Sequence, residues 1–374
     1  MQNAPPDAID TSLVRRVLVS KLRHHGDVLL ASPVFTVLKR ALPSAEIDAL
    51  VYRETAPMLE GHPAIAQIFT IDREWKRRGV VSQFRAEAGL LRSLRARRYD
   101  LVVHLTEHPR GAWVTRLLRP RYAVARELPG AHWLWRSSFS HYYRLPRARP
   151  RHTVECNLDA LRRLGLQPAM ADRRLVLVPG ERDAARAREL LAQNGLERRG
   201  FIQLHPGSRW LFKCWTAESY AALIEAMVAD GWQIVVTGAP DARERELVDE
   251  ILSLVPERCR LSVANLTSAL SLGELSALTR DARAFVGVDS APMHIAAAMC
   301  TPVVALFGPS GDVEWGPWQV PHRIVASIEH PCRPCGNDGC GGGKVSECLT
   351  TLPFERVHAA LLQVLAETEQ RLSP

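Results

Sequence analysis

Residues 285 to 309 constrain the fold more than any other stretch of this 374-residue chain. A short apolar strand, Ala284 to Val288, runs into Asp289-Ser290 and then into a helix of small residues carrying His294. A second apolar strand, Val303 to Phe307, follows and ends at Gly308-Pro309. Two buried strands joined through one helix make a parallel crossover unit. The unit gathers an acid, a hydroxyl and a helix N-terminus at the carboxyl ends of its strands. Open α/β sheets bind ligands at that edge, and a helix N-terminus favours phosphate. The stretch points to a nucleotide or nucleotide-sugar site in the C-terminal half.

The remaining pattern repeats the theme. In the first half, strands are expected at Arg16 to Ser20, Glu46 to Tyr52, Ile68 to Ile71 and Leu101 to Leu105. Helices are expected from about Val28 to Leu42, with Pro33 in the first turns, and from Val80 to Arg98. The alternation resets between Gly165 and Gly180. A helix over Glu181 to Asn194 stops at Gly195, and strands at Phe201 to Leu204 and Gln233 to Thr237 flank a helix from Thr216 to Asp230. Alternating strands and helices imply parallel sheets covered on both faces. The length also exceeds one ordinary core. Two doubly wound α/β domains are therefore expected, over residues 1–175 and 176–352, with a last helix in 353–374 packing back on the N-terminal domain.

The N-terminal ten residues lack a basic start followed by an apolar run, so no signal peptide is expected. No apolar stretch approaches the length of a transmembrane helix. The net charge of +8 is uneven: 19 Lys/Arg face 5 Asp/Glu between Arg73 and Arg151, against 29 and 35 elsewhere. Trp75, Trp113, Trp133, Trp135, Tyr142 and Tyr143 are interleaved with those arginines. That stretch is either a solvated basic face or a surface for an anion: nucleic acid, acidic lipid headgroups or a phosphorylated substrate.

Three loops carry candidate chemistry. The first strand's loop holds Lys21, Arg23, His24, His25, Gly26 and Asp27. Asp27 either caps the following helix or serves as a general base, and the two histidines shape the loop. The first strand of the second domain ends in His205-Pro-Gly-Ser208, with Lys213 shortly after. Backbone N–H groups and the Ser208 hydroxyl suit a phosphate, and Lys213 could neutralise charge on a leaving group. Otherwise Lys213 is a surface lysine. Asp289, Ser290 and His294 either contact ribose, sugar or phosphate, or are a helix cap and a satisfied core histidine. Cys332, Cys335, Cys340 and Cys348 lie in a Gly-rich loop and could bind zinc, stay reduced or act in redox chemistry. Their spacing matches no common zinc module. A glycoside hydrolase would need a second carboxylate flanking the bond, and only Asp27 stands out in the first loop.

These residues together resemble the lipopolysaccharide heptosyltransferases (glycosyltransferase family 9), and among them the heptosyltransferase III group. The carriers are Lys-Leu-Arg-His-His-Gly-Asp27 with the following Val-Leu-Leu-Ala-Ser-Pro33, Ala-Pro-Met-Leu-Glu-Gly-His-Pro63, Ser-Arg-Trp-Leu-Phe-Lys-Cys-Trp215, Asp-Ser-Ala-Pro-Met-His-Ile-Ala-Ala-Ala298 and the Cys-rich loop. The resemblance spans roughly Arg16 to Pro353. It implies a GT-B fold, two Rossmann-like domains facing a central cleft, with acceptor bound by the first and donor by the second. It also implies an inverting transfer of heptose from ADP-heptose to an inner-core heptose, with no obligatory metal or cofactor. Asp27 aligns with the base and Lys213 with the lysine that steadies the diphosphate. Ser208, Asp289, Ser290, Ala291 and His294 align with donor positions, and Ala291 stands where Gly is usual. The implied acceptor is a phosphorylated lipid A-linked core at the cytoplasmic face of the inner membrane, touched peripherally. Nucleic acid is not an expected partner. The competing readings are a GT-B enzyme adding a different heptose or using another nucleotide sugar, and a non-enzymatic anion- or nucleic-acid-binding protein.

Overall fold

Apolar runs without alternation become strands buried on both faces. In the first unit β1 (Arg16–Ser20), β2 (Glu46–Tyr52) and β4 (Leu101–His104) are such runs, while β3 (Gln67–Ile71), β5 (Tyr122–Arg126) and β6 (His141–Tyr143) are only partly buried. All pair in parallel, in the order β3-β2-β1-β4-β5-β6. The structure, a computed structural model, describes residues 5–145 and 149–372. Arg147 of the basic stretch lies outside them.

Between these strands run α1 (His25–Leu29), α2 (Ser32–Ala41), α3 (Val80–Arg97), α4 (Pro109–Leu118) and α5 (Trp133–Ser138), and α6 (Thr153–Arg163) follows the last of them. The expected helix from Val28 to Leu42 is instead two helices, and Asp27 lies inside the first of them. Pro33 is the cause. Its ring cannot continue a helix from α1, because it lacks an N–H and clashes one turn back, yet it fits the first turn of α2. Leu94, Ala112, Leu134, Trp135 and Phe139 pack α3, α4 and α5 onto Leu18, Val102 and Ala123 of the sheet. α2 and α6 pack against each other and onto strands of the same sheet.

The second unit repeats the plan. α7 (Glu181–Gln193) leads into β7 (Phe201–His205), α8 (Ala217–Ala229), β8 (Gln233–Val236), α9 (Ala242–Leu254), β9 (Val263–Asn265) and α10 (Leu272–Asp281). β10 (Ala284–Val288), α11 (Ala291–Ala298), β11 (Val303–Phe307), α12 (Asp312–Trp315), β12 (His322–Ala326), α13 (Glu347–Thr350) and α14 (Phe354–Leu372) follow. The order β12-β11-β10-β7-β8-β9 is the first sheet's order read from the other side. Local signals agree with the elements: Thr216 caps α8 through Ser219 N, and Gly195 turns the chain out of α7 at φ +63°. The two sheets give the α/β, doubly wound fold expected of the GT-B class.

The units divide at Val178 and Pro179, beyond the expected boundary at 175, and α14 belongs to the second. The expectation that the last helix packs on the N-terminal domain is therefore corrected. Val357, Leu361, Val364 and Leu365 form one stripe that joins Val286, Val304 and Ile224 in a single core. The polar side of the helix is tied to the same unit, with Glu369 paired to Arg283, Glu367 to Arg323, and His358 2.6 Å from Asp230.

Candidate active site

In both sheets the strand order reverses beside the first strand, between β1 and β4 and between β7 and β10. Ligands of open α/β sheets bind at that reversal, outside the carboxyl ends of the strands. The loops leaving β1, β7 and β10 are those singled out in the sequence.

At the first reversal, Lys21 follows β1 and is buried. Its ammonium donates to Leu105 O (3.1 Å) and Asn157 Oδ1 (3.0 Å). Leu22 N donates to Thr106 Oγ1 at 2.9 Å, which ties the β1 loop to the β4 loop. Arg23 is exposed and His24 is half-buried as the N-cap of α1, without a side-chain cap bond. His25 Nε2 donates to Glu54 O at 2.8 Å. Gly26 and Asp27 are the second and third residues of α1. Asp27 is thus not the cap. Its half-buried carboxylate makes no hydrogen bond or ion pair among the described residues and lies in the first turn, where a helix favours negative charge.

Burial pulls the Lys21 ammonium down to about 8 from 10.5, opposed by the Asp27 charge. Above pH 10.5 the lysine is neutral folded or unfolded. Between there and pH 8 the unfolded chain holds more protons, so stability falls as pH falls through that window. The stability of the wild type relative to Lys21→Met should therefore rise from pH 8 to 10.5, read as the difference in urea midpoints. A flat difference would mean that the ammonium is solvated.

Beneath the loop, Ser20 and His104 pair across the sheet at 2.5 Å, and His104 stacks on Phe139. Burial lowers the His104 imidazole to about 3, so it is neutral at physiological pH. Gly111 of α4 lies against it: a Cβ there would stand 1.9 Å from His104 Cε1. Gly111→Ala should overpack this contact and cost about 1–3 kcal/mol, seen as a lower unfolding midpoint. An unchanged midpoint would show that the ring can move aside.

At the second reversal, the Lys213 ammonium donates to Asp289 Oδ2 at 2.6 Å, joining the loop after β7 to the loop after β10. The sequence treated these as separate contacts; the structure makes them a pair. Ser208 is buried and its hydroxyl accepts from Trp210 N at 3.3 Å. Ser290 is the N-cap of α11 with no side-chain cap bond, and its buried hydroxyl has no partner among the described residues. Ala291 opens the helix and His294, buried, sits one turn in. This leaves an unpartnered hydroxyl at a helix N-terminus, beside a lysine. Such a set suits a diphosphate.

Glu244, at the start of α9, is a residue that sequence reasoning missed. Its buried carboxylate accepts from Ala239 N at 2.9 Å and lies 3.7 Å from His205 Nε2. Burial raises the Glu244 carboxyl and lowers the His205 imidazole to about 4. A Cβ on Gly207 would come within 2.3 Å of Glu244, so Pro206-Gly207-Ser208 lies directly against it. The Pro-Gly pair was the available signal, but nothing in the sequence says which side chain it accommodates. The Cys-rich loop also finds a place here. Ser346 Oγ donates to Phe212 O at 2.6 Å, next to Lys213, while Arg333 Nε donates to Gly308 O at 2.7 Å. Cys332, Cys335 and Cys340 are exposed free thiols and Cys348 is a buried one. Among the described residues no three His, Cys, Asp or Glu side chains are gathered to hold a metal ion.

The chain is similar to known proteins. The family model for glycosyltransferase family 9 (heptosyltransferase) matches residues 88–345. Lipopolysaccharide heptosyltransferase 3 of Escherichia coli is 35% identical over 300 residues, covering 79% of this chain and 83% of that protein. The crystal structure of a family 9 glycosyl transferase from Veillonella parvula superposes with a TM-score of 0.79 at 24% identity, over 94% of this chain and 97% of that one. E. coli ADP-heptose lps heptosyltransferase II gives 0.74 at 22% identity, over 95% and 99%. Two Rossmann-like sheets, polar loops at both reversals and these similarities lead to one conclusion: the chain belongs to glycosyltransferase family 9, the heptosyltransferases.

Proposed function

We propose that this enzyme transfers heptose from ADP-heptose to a heptose of the lipopolysaccharide inner core, as a heptosyltransferase III-like enzyme. The observation that carries the reading is the Lys213–Asp289 pair beside the open N-terminus of α11. Similarity to lipopolysaccharide heptosyltransferase 3 supports the acceptor class.

The chemistry is one displacement. The acceptor hydroxyl oxygen attacks the anomeric carbon, the bond from that carbon to the diphosphate oxygen breaks, and ADP leaves with inversion. Asp27 takes the hydroxyl proton, and Lys213 stabilises the charge gathering on the diphosphate. Ser208, Asp289, Ser290, Ala291 and His294 hold the donor. Lys21, Arg23, His24, His25 and Gly26 shape the acceptor side, where the buried Lys21 ammonium fixes the loop that carries Asp27. No obligatory metal takes part. The acceptor is a phosphorylated lipid A-linked core, met at the cytoplasmic face of the inner membrane by peripheral contact. Among the described residues no helix is long and apolar enough to cross a membrane.

The test is mass analysis of a core oligosaccharide already carrying two heptoses, after incubation with ADP-heptose. A gain of one heptose is expected. Binding of ADP-heptose without any gain would put the acceptor assignment in error, and failure to bind the donor would overturn the reading of the second reversal.

A further inference from the structure

α3 is poorly covered for a helix of its length. Of its 18 residues only Leu94 is buried. Val80 is 86% exposed and Phe84 73%, with Val81 beside them on the same side. The next two helices of the layer continue this: Trp113 and Leu117 on α4 and Trp133 on α5 are also exposed. Isolated exposed apolar residues are ordinary, but a set spread over the outward side of one helical layer marks an interaction surface.

The charges on this layer are predominantly positive. α3, α4 and α5 together carry seven arginines and a single acid, Glu87, which Arg110 already pairs at 2.9 Å. At the foot of the layer is a cavity of about 510 Å³ lined by Arg95, Arg116 and Arg119, with Thr115, Ser137 and Ser138. None of these three arginines has a carboxylate partner among the described residues. Arg116 is held in place by Ser137 Oγ at 3.1 Å, with its guanidinium over the Trp133 ring, and Arg95 Nε donates to Leu117 O at 3.2 Å. Thr115 is buried, and its hydroxyl has no partner among the described residues. Guanidinium groups and an unused hydroxyl around one cavity suit a phosphate.

The cavity lies away from the reaction loops. The ends of α3, α4 and α5 that line it lead into the amino-terminal ends of β4, β5 and β6, whereas Asp27 follows the carboxyl end of β1. It is therefore not part of the acceptor loop described above.

We propose that the outward side of α3, α4 and α5 docks on an anionic phospholipid surface, with Arg95, Arg116, Arg119 and Thr115 seating a lipid phosphate and the exposed Trp, Phe and Val side chains entering the interface. Aromatic and apolar side chains interleaved with arginines match the boundary between headgroups and acyl chains, and the arginines match its charge. A nucleic-acid backbone would satisfy the arginines but leave Val80, Val81 and Phe84 in water. The proposal deepens the peripheral membrane contact of the function proposed above and rests on that part of it alone.

The test is flotation with vesicles of phosphatidylethanolamine containing phosphatidylglycerol, and with phosphatidylcholine vesicles, needing no sugar substrate. Wild type should float with the anionic vesicles, less so at high salt, and not with phosphatidylcholine. Each basic residue at an anionic leaflet is worth roughly fivefold in partitioning. Combined Arg95→Gln, Arg116→Gln and Arg119→Gln should therefore weaken binding on the order of 100-fold. Phe84→Ser with Trp113→Ser should weaken it with all charges kept, and Arg245→Gln with Arg260→Gln, exposed on the second unit, should leave it unchanged. An unfolding midpoint matching wild type confirms that each variant is folded. Equal flotation with both vesicle types, or no loss in the arginine variant, would overturn the proposal. So would thermal stabilisation by inorganic phosphate that depends on these arginines without vesicle binding, or tighter binding of the layer to duplex DNA. Heptose transfer to a soluble oligosaccharide is measured separately, so loss of one reading leaves the other standing.

Discussion

Asp27→Asn should remove heptose transfer while leaving the fold and donor binding intact. Asn has nearly the same shape, and Asp27 makes no hydrogen bond or ion pair among the described residues that the change would break. What disappears is the ability to accept a proton as the acceptor oxygen attacks. Positioned base catalysis contributes about 10²–10⁴-fold, so the single-heptose mass gain should fall by that factor at saturating donor. ADP affinity should match wild type, and the unfolding midpoint should fall only slightly, from the loss of the Asp27 charge beside the buried Lys21 ammonium. Because Asp27 is the third residue of α1 and not its cap, retained transfer could not be put down to a preserved cap, and the proton would have to go elsewhere.

Lys213→Ala is expected to have the second large effect, of a different kind. The lysine is the charge closest to Asp289 and, on the proposed reading, to the diphosphate leaving group. Removing one donor that stabilises developing charge costs on the order of 10²–10³-fold in turnover. It also leaves the buried Asp289 carboxylate without its partner, which opposes an anionic ligand at the same place. ADP affinity should therefore fall together with turnover, in contrast to Asp27→Asn. Adding Asp289→Asn should recover part of the ADP affinity but not the turnover. If Lys213→Ala alone left ADP affinity untouched, the ion pair would be structural.

The parts legible in the sequence are those governed by local pattern. β2, β10 and β11 run as expected because unbroken apolar runs bounded by turn residues have few alternatives. The three loops were legible because a strand's end, a glycine or proline and a polar residue stand next to one another in the chain. Relations across the fold were not. Nothing near Lys213 indicates that its ammonium meets Asp289, 76 positions later. Nothing near Gly207 indicates that Glu244 lies against it. The division of one expected helix into α1 and α2 was readable at Pro33, but the apolar periodicity on both sides masked the break. α14 was misplaced for the opposite reason: an amphipathic stripe states that a helix is covered, not by what.

That last helix has a consequence in time. The first unit has every strand and helix of its core synthesised before the second begins, so it can close while the rest of the chain is still being made. The second unit cannot. Its six strands are complete at Ala326, yet Val286, Val304 and Ile224 share a core with Val357, Leu361 and Val364, which emerge later. Until α14 is released, the part of the apolar face over β10, β11 and β12 that it covers stays open, and the interval spans the whole Gly- and Cys-rich loop. Exposed apolar surface of this kind makes a growing chain prone to aggregation during that interval.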